Sequence, residues 1–329
     1  MTTRNVIGHI AGADIRTIKI FKTVVNCGGF SAAGAELNIS RAAISIAMSD
    51  LEQRLSLKLC NRGRSGFSLT DEGEQVYLAV LKLLASHQEF QQRINSIHSE
   101  LKGDLAIGIT DCLISLPSMY ITDSLKALKH QAPEVNINIE MIPANQVIKN
   151  LLDGQLQIGV APVFSKNPNL KYVHLYDEQS YLYCGNEHPL FNTSEKHISA
   201  EHITEYEIVS PSSQQSPEIK KHLRRFSNSA QASDREGAAF LLLTGCYIGY
   251  LPAHFAQRWV ETGQMKPLLP EEFNYSTPYA AIARKDLAPN LILSCFMDRL
   301  NQLIESPLPR NRGDKNQDHT RKSQPESST

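Results

Sequence analysis

Apolar residues recur at helical spacing in three short runs before residue 60, separated by polar turns. Ile15, Ile18, Phe21 and Val25 form the first face, on a helix that Asp14 is placed to cap and that runs to about Asn26. Gly28 and Gly29 stop it. Ser31 is placed to cap a second helix, where Ala32, Ala33 and Ala35 leave room for another helix to cross. Asn38 and Ile39 make a turn, and Ser40 caps a third helix running to about Leu55, with Ile44, Met48, Leu51 and Leu55 as its buried stripe. A short turn followed by a capped helix predicts a helix-turn-helix, whose last helix enters the major groove of DNA by its N-terminal end. The run NRGRSGFSLT, residues 61–70, reads as a tight β-ribbon with two arginines, a wing suited to the phosphate backbone.

A different period follows. From Asp71 to Leu101 there is no proline, and no glycine after Gly73. Val76, Val80, Leu83, His87, Phe90, Ile94 and Ile97 follow alternating steps of four and three. This is the seam of a two-stranded coiled coil, with His87 the polar residue able to set register. The competing reading is a helix packed on its own domain, which would drift toward a period of 3.6.

Gly103 opens an alternation of strand-like and helix-like segments. Leu105–Ile109, Val135–Glu140 and Gln157–Ala161 read as strands, with helices ending near His130 and running over Asn145–Leu152 between them. That order predicts an open parallel α/β unit. Further strands are expected at Tyr172–Leu175, Tyr181–Cys184, Ile208–Ser210, Tyr247–Pro252 and Tyr279–Arg284. Helices are expected around Pro217–Phe226, Glu236–Leu243 and Asn290–Leu303. The expected organisation is a loose arm (1–13), a winged helix-turn-helix (14–72), a long helix that pairs two chains (73–102) and a two-unit α/β domain (103–305). The last has lobe I at 103–161 and 270–305 and lobe II at 162–269. A polar tail, 306–329, is too poor in apolar residues to fold.

Composition narrows the function classes. The 329 residues are 41% hydrophobic and 20% charged, with a net charge of −1, so any nucleic-acid binding is local rather than a general basic coat. Over residues 1–72, nine basic residues (Arg4, Arg16, Lys19, Lys22, Arg41, Arg54, Lys58, Arg62, Arg64) face six acidic ones (Asp14, Glu36, Asp50, Glu52, Asp71, Glu72). No apolar run is long enough to span a membrane and the first twelve residues are not a secretory leader, which predicts a cytoplasmic protein without a membrane partner. The six cysteines are scattered without metal spacing, so neither a metal nor a cofactor is expected. GxSxG, HExxH, a P-loop and a dinucleotide fingerprint are absent, which argues against an enzyme.

The candidate DNA contacts are Ser31, Ser40, Arg41, Ala42 and Ser45, with Arg62 and Arg64 on the wing. Arg41 can give two parallel hydrogen bonds to a guanine, or stand as a solvated charge. Ligands of open α/β sheets bind beyond the carboxyl ends of the strands, which points to Thr110, Asp111 and Cys112 on one lobe and Ser210, Pro211 and Ser212 on the other. Helix N-termini there would favour an anion. Asp111 opposes a plain carboxylate and suits an amine or a ligand of both signs, or it only caps the next helix. Cys112 at a helix N-terminus would have a lowered pKa, which opens a thiol-sensing role.

The run from Phe21 to Gly73 resembles the DNA-binding domain of the LysR-type transcriptional regulators. It matches at Phe21, Gly29, Phe30, Ser31, Ala32, Ala33, Leu37, Ala43, Ser45, Leu51, Glu52, Leu55, Leu59, Arg62, Leu69, Thr70 and Gly73. Arg41, Ala42, Ala47, Ser49 and Cys60 depart from the usual residues, so the base preference is expected to differ. Gly103-Asp104-Leu105, Leu116-Pro117, Leu151-Leu152-Asp153-Gly154 and Gly245 with Gly249, Leu251 and Pro252 are similar to the family's effector domain. The resemblance implies a fold like periplasmic solute-binding proteins, a linker helix that pairs two chains as a homodimer or within a homotetramer, a partly symmetric double-stranded DNA site and a small-molecule effector. RNA polymerase is a further candidate partner. The function expected is an effector-controlled, sequence-specific regulator of transcription. The alternatives are a redox-sensing regulator and, more remotely, a solute-binding protein or enzyme of the same architecture.

Overall fold

The computed structural model describes residues 12–63, 66–98, 100–116, 120–212, 215, 217–285 and 290–305. Residues 1–11 of the proposed arm, the proposed tail, Arg64 and Pro117 lie outside these residues, while Gly12 and Ala13 of the arm begin the first helix.

The first unit contains α1 (Gly12–Asn26), α2 (Phe30–Leu37) and α3 (Arg41–Leu55), then the antiparallel ribbon of β1 (Cys60–Gly63) and β2 (Gly66–Leu69). Phe21, Val24, Ala33, Ile44, Met48 and Leu59 are fully buried together. Ser40 caps α3 as expected, its Oγ accepting from the Ala43 N–H at 3.1 Å. The other two caps differ. The first helix begins at Gly12, so Asp14 sits inside it. Gly29, not Ser31, occupies the N-cap of α2, in an extended left-handed backbone (φ 155°), and Phe30 continues the helix one residue earlier because its ring is drawn into the core.

Helix α4 (Asp71–Ile97) starts at a cap formed by Thr70, whose Oγ1 accepts from the Gly73 N–H at 2.9 Å. A Cβ at Gly73 would lie 1.9 Å from the Leu59 carbonyl oxygen, so only glycine lets α4 press this closely on the strand leading into the wing. Tyr77 packs edge-on against Phe21 and donates to Asn26 Oδ1 at 2.7 Å. Val80 is buried and Val76 packs beside it in the same core. These two expected seam residues therefore belong to the chain's own helix-turn-helix, because the first three turns of α4 serve as its fourth helix. Leu83, Phe90, Ile94 and Ile97 stay exposed farther along, with His87 half-buried.

The second unit runs through β3 (Gly103–Ile109), a 3-10 turn (Leu113–Ser115), α5 (Tyr120–Gln131), β4 (Val135–Met141), α6 (Ala144–Leu152), β5 (Ile158–Pro162) and β6 (Leu170–Gly185). It continues with α7 (Ala200–Thr204), β7 (Glu207–Pro211), α8 (Pro217–Leu223), β8 (Ser227–Ala232), α9 (Arg235–Leu243) and β9 (Ile248–Pro252). Last come α10 (Ala253–Glu261), β10 (Met265–Pro267), β11 (Asn274–Arg284) and α11 (Leu291–Glu305). The strands hydrogen-bond in the order β4-β3-β5-β11-β6-β9-β7-β8, with β10 also on β6. Two parallel triplets, β4-β3-β5 and β9-β7-β8, are joined by the long antiparallel pair β6 and β11. The sheet is thus mixed rather than wholly parallel, and each triplet with its helices forms one lobe.

The two strands expected at Tyr172–Leu175 and Tyr181–Cys184 are one strand, β6. Its polar middle is retained because it crosses between the lobes and is paired with β11 throughout, leaving Glu178 and Ser180 buried.

Candidate functional site: a reading head and an interlobe cleft

On α3 the buried residues Ile44, Met48 and Leu51 face the core and leave Arg41 and Ala42 exposed on the outer side, with Ser45 half-buried. Ile46 stands among them, 70% exposed, and was not among the expected contacts. Glu52 accepts from the Leu59 N–H at 2.9 Å and the Cys60 N–H at 3.3 Å, fixing the root of the wing to α3. Phe67 of the wing packs on Phe30 at 6.2 Å between ring centroids. Arg62 pairs with Phe67 in the ribbon register, while Ser31 is exposed in the first turn of α2. The wing is thereby tied to the last turn of α3 and to the first residue of α2.

The regulatory unit has a cavity of about 490 Å³ between its lobes. Thr110, Asp111, Ala144 and Ile148 line it from one side and Pro211, Arg235, Ala238 and Tyr250 from the other, with Glu178, Ser180, Tyr275 and Thr277 on the crossing strands between. Three of the six expected effector contacts, Thr110, Asp111 and Pro211, line this cavity. Ser210, Ser212 and Cys112 do not. Successive strand residues point to opposite faces, so Val209 and Pro211 face the cavity and Ser210 turns away. Ser212 is exposed, and its N–H continues the ladder to the Ala232 carbonyl at 2.8 Å.

Cys112 takes a left-handed conformation (φ 65°) before the single 3-10 turn, packed against the lobe II cluster of Val209, Ala232 and Leu242. Burial pushes its thiol pKa up and the Asp111 carboxylate adds to this, outweighing the pull of Arg235. The expected activation by a helix N-terminus is reversed, because α5 begins eight residues later and the 3-10 turn carries little dipole.

A charged network that the sequence reading missed occupies one wall. Arg235, the first residue of α9, donates Nη1–H to Asp111 Oδ1 at 2.5 Å and Nη2–H to the Tyr279 hydroxyl at 2.6 Å and to Glu178 Oε1 at 3.2 Å. Its backbone N–H also donates to Asp111 Oδ2 at 2.7 Å. The anion seat at the start of α9 is therefore filled by the chain's own carboxylate from the opposite lobe. Burial alone would lower the Arg235 pKa, but Tyr279, Glu178 and Asp111 together raise it well above the ordinary value. His254 of α10 contacts Glu178 Oε2 through Nε2 at 3.1 Å and Ser115 Oγ through Nδ1 at 2.7 Å, a second tie from lobe II to lobe I. The Tyr250 hydroxyl is buried without a hydrogen-bond partner among the described residues, and the Thr110 hydroxyl has none apart from the neighbouring Tyr279. Such orphans in a cavity wall await a ligand or water.

The linker helix joins the two sites. Gln92 donates to the Asp104 carbonyl at 2.9 Å and accepts from Asn290 Nδ2 at 2.8 Å, and Lys82 lies 3.8 Å from Asp153. One end of α4 is thus built into the reading head and the other is docked on lobe I.

A winged helix-turn-helix rigidly joined to a two-lobed binding domain defines a DNA-binding regulator governed by a small molecule. Residues 98–304 match the family model described as LysR substrate binding domain, and residues 15–74 match that of the bacterial regulatory helix-turn-helix protein, lysR family. The chain belongs to the LysR family of transcriptional regulators, with a DNA-binding domain and an effector-binding domain. It is 47% identical over 292 residues to the HTH-type transcriptional activator BauR of Pseudomonas aeruginosa, covering 89% of this chain and 96% of that one. It is 25% identical to the HTH-type transcriptional activator AaeR of Escherichia coli, over 84% and 89% of the two chains. Its fold is similar to the crystal structure of CbnR, a LysR family regulator, with a TM-score of 0.62 at 19% identity over 88% of this chain and 99% of that one. Full-length CbnR complexed with its target DNA gives 0.61 at 19% identity, over 88% and 98%. Among the described residues no helix is long and apolar enough to cross a membrane, and no cluster of metal-ligating side chains occurs.

Proposed function

We propose that this protein is a cytoplasmic, non-enzymatic activator of transcription whose DNA binding is set by a small molecule held between its lobes. The observation that carries the reading is the interlobe cavity, walled by the Asp111–Arg235 tie and by the unsatisfied Tyr250 hydroxyl. An effector that reaches these groups gains contacts with both lobes at once and competes with the resident tie. Its differential affinity for two lobe arrangements is the coupling free energy that reaches DNA through α4. The activating sense is drawn from the 47% identity to BauR. The exposed row of Leu83, Phe90, Ile94 and Ile97 on α4 supports pairing of two chains on a partly symmetric site.

A thermal-shift screen of small metabolites on the full chain tests the effector site. A cleft ligand at a hundredfold excess over its Kd stabilises the folded state by about 2.7 kcal/mol. The stabilisation is expected to shrink by about 0.5–1.5 kcal/mol in Tyr250→Phe, the value of one hydrogen bond, and a set of hits whose shifts all ignore that change overturns the placement.

Arg41, beside the capped start of α3, is proposed as the guanine-reading residue. Arg41→Ala is expected to lose about 1–3 kcal/mol of discrimination at one base pair of each half-site while keeping salt-dependent binding to DNA of any sequence. An unchanged footprint removes Arg41 from that role.

A further inference from the structure

Ile46 has no structural task. It is 70% exposed in the middle of α3, far from the stripe of Ile44, Met48 and Leu51 that packs the core. As a β-branched residue it also gains nothing in helix propensity over the straight-chain residues usual on a solvated face. Its position gives it a task. Steps of four and three place Ala42, Ile46, Ser49 and Gln53 in one row along α3, and all four are exposed. This row runs opposite the buried stripe and is the line of greatest protrusion of the helix. Its N-terminal half, Ala42 and Ile46, is purely hydrocarbon and carries no charge for a phosphate.

We propose that Ile46, backed by Ala42 one turn earlier, selects DNA by covering the C5-methyl group of a thymine in the major groove. That methyl is the apolar group by which the major-groove edge of a base pair is told from the others, and a branched aliphatic side chain complements it. Ser40 and the N-terminus of α3 stand where phosphate oxygens approach, and Arg41, on the neighbouring row, is free to reach the next base edge. Each half-site then carries a thymine at the position under the second turn of α3. The inference rests on α3 lying in the major groove.

The test uses the full-length protein and duplexes enriched from a random-sequence pool. Each enriched duplex is resynthesised with uracil in place of one thymine at a time, which removes a single methyl group and no hydrogen-bonding atom. Binding is expected to weaken about fourfold at one thymine per half-site, the value of one buried methyl group, and to be unaffected at the others. In Ile46→Ala that difference disappears, while thermal stability holds because the side chain is exposed. Ile46→Gln, offered the same random pool, is expected to exchange thymine for adenine at that position. Uniform tolerance of uracil overturns the proposal, as does a thymine-to-uracil difference that persists undiminished in Ile46→Ala. Failure to enrich any duplex overturns the placement of α3 in the groove, and the proposal with it, so the two failures are told apart.

Discussion

Replacing Arg235 with glutamine is expected to destabilise the regulatory domain by about 3–5 kcal/mol, the usual consequence of removing one partner from a buried ion pair. The Arg235 side chain touches Asp111 from lobe I, Glu178 from the crossing strand β6 and Tyr279 from β11 together. Glu178 has a side chain only 2% exposed, so it cannot recover its charge stabilisation from water. After the change it retains, among the described residues, the His254 contact at 3.1 Å, and Asp111 retains the α9 backbone N–H. For a domain of this size the loss corresponds to a fall in the midpoint of thermal unfolding of roughly 10 °C. Adding Glu178→Gln to Arg235→Gln removes the stranded charge and is expected to recover more than half of the loss. The double-mutant cycle then reads an interaction energy of at least about 1.5 kcal/mol, the recovered part of the loss, between positions 57 residues apart in sequence. Additive effects in the cycle would show that the two side chains do not share one network. The same tie sets the conformational balance. Asp111→Asn keeps the size of the side chain and weakens the interlobe contact, so effectors that compete with Asp111 for Arg235 are expected to bind it more tightly than the parent protein.

The reading head was largely legible from its sequence because its information is local. A cap, a turn and a stripe at 3.6-residue spacing lie within a few residues of one another, and the boundaries of α3 and of the wing agree with that pattern. The cleft was legible only where its residues end a strand, as Thr110, Asp111 and Pro211 do. The Asp111–Arg235 pair is separated by 124 positions, and no periodicity connects them. The available signal was indirect. The polar stretch Tyr176–Ser180 interrupts an otherwise apolar strand, and a charged residue opens the apolar helix α9. Polar side chains at positions a strand would bury are retained where they meet one another or a ligand. Ser210 failed for the converse reason, since chemistry suggested it and the pleat of β7 turned it away. Val76 and Val80 show a third limit. One unbroken heptad seam serves two surfaces, and sequence period alone does not mark where the chain's own core ends.

That division locates the second large effect, at the part of the seam left uncovered. Phe90 is 63% exposed and lies on a row with Leu83, Ile94 and Ile97, whereas Val80 on the same seam is 5% exposed. Charging Phe90 with glutamate should leave the monomer fold intact, because the side chain has little to lose within its own chain. In a two-fold dimer each substitution acts twice, and two carboxylates placed face to face in an apolar seam add repulsion to the lost burial. The mass in solution is expected to fall to that of a single chain at micromolar concentration, measured by light scattering. Affinity for a two-half-site duplex should drop by about 10²–10⁴, because the second reading head no longer arrives tethered to the first. Affinity for a single half-site should hardly change. Leu78, 48% exposed but off the row, provides the control, since Leu78→Glu changes surface charge equally and leaves the seam untouched. If Phe90→Glu keeps the parent mass, the exposed row is not the pairing surface. A loss of mass in both variants would indicate a general charge effect. The distinction bears on regulation, because α4 is fixed to lobe I through Gln92 and Asn290. A pair of chains joined along the distal half of α4 would convert a lobe movement into a change in the angle between two reading heads. A monomer with the same effector site would bind the effector and leave the DNA unaffected.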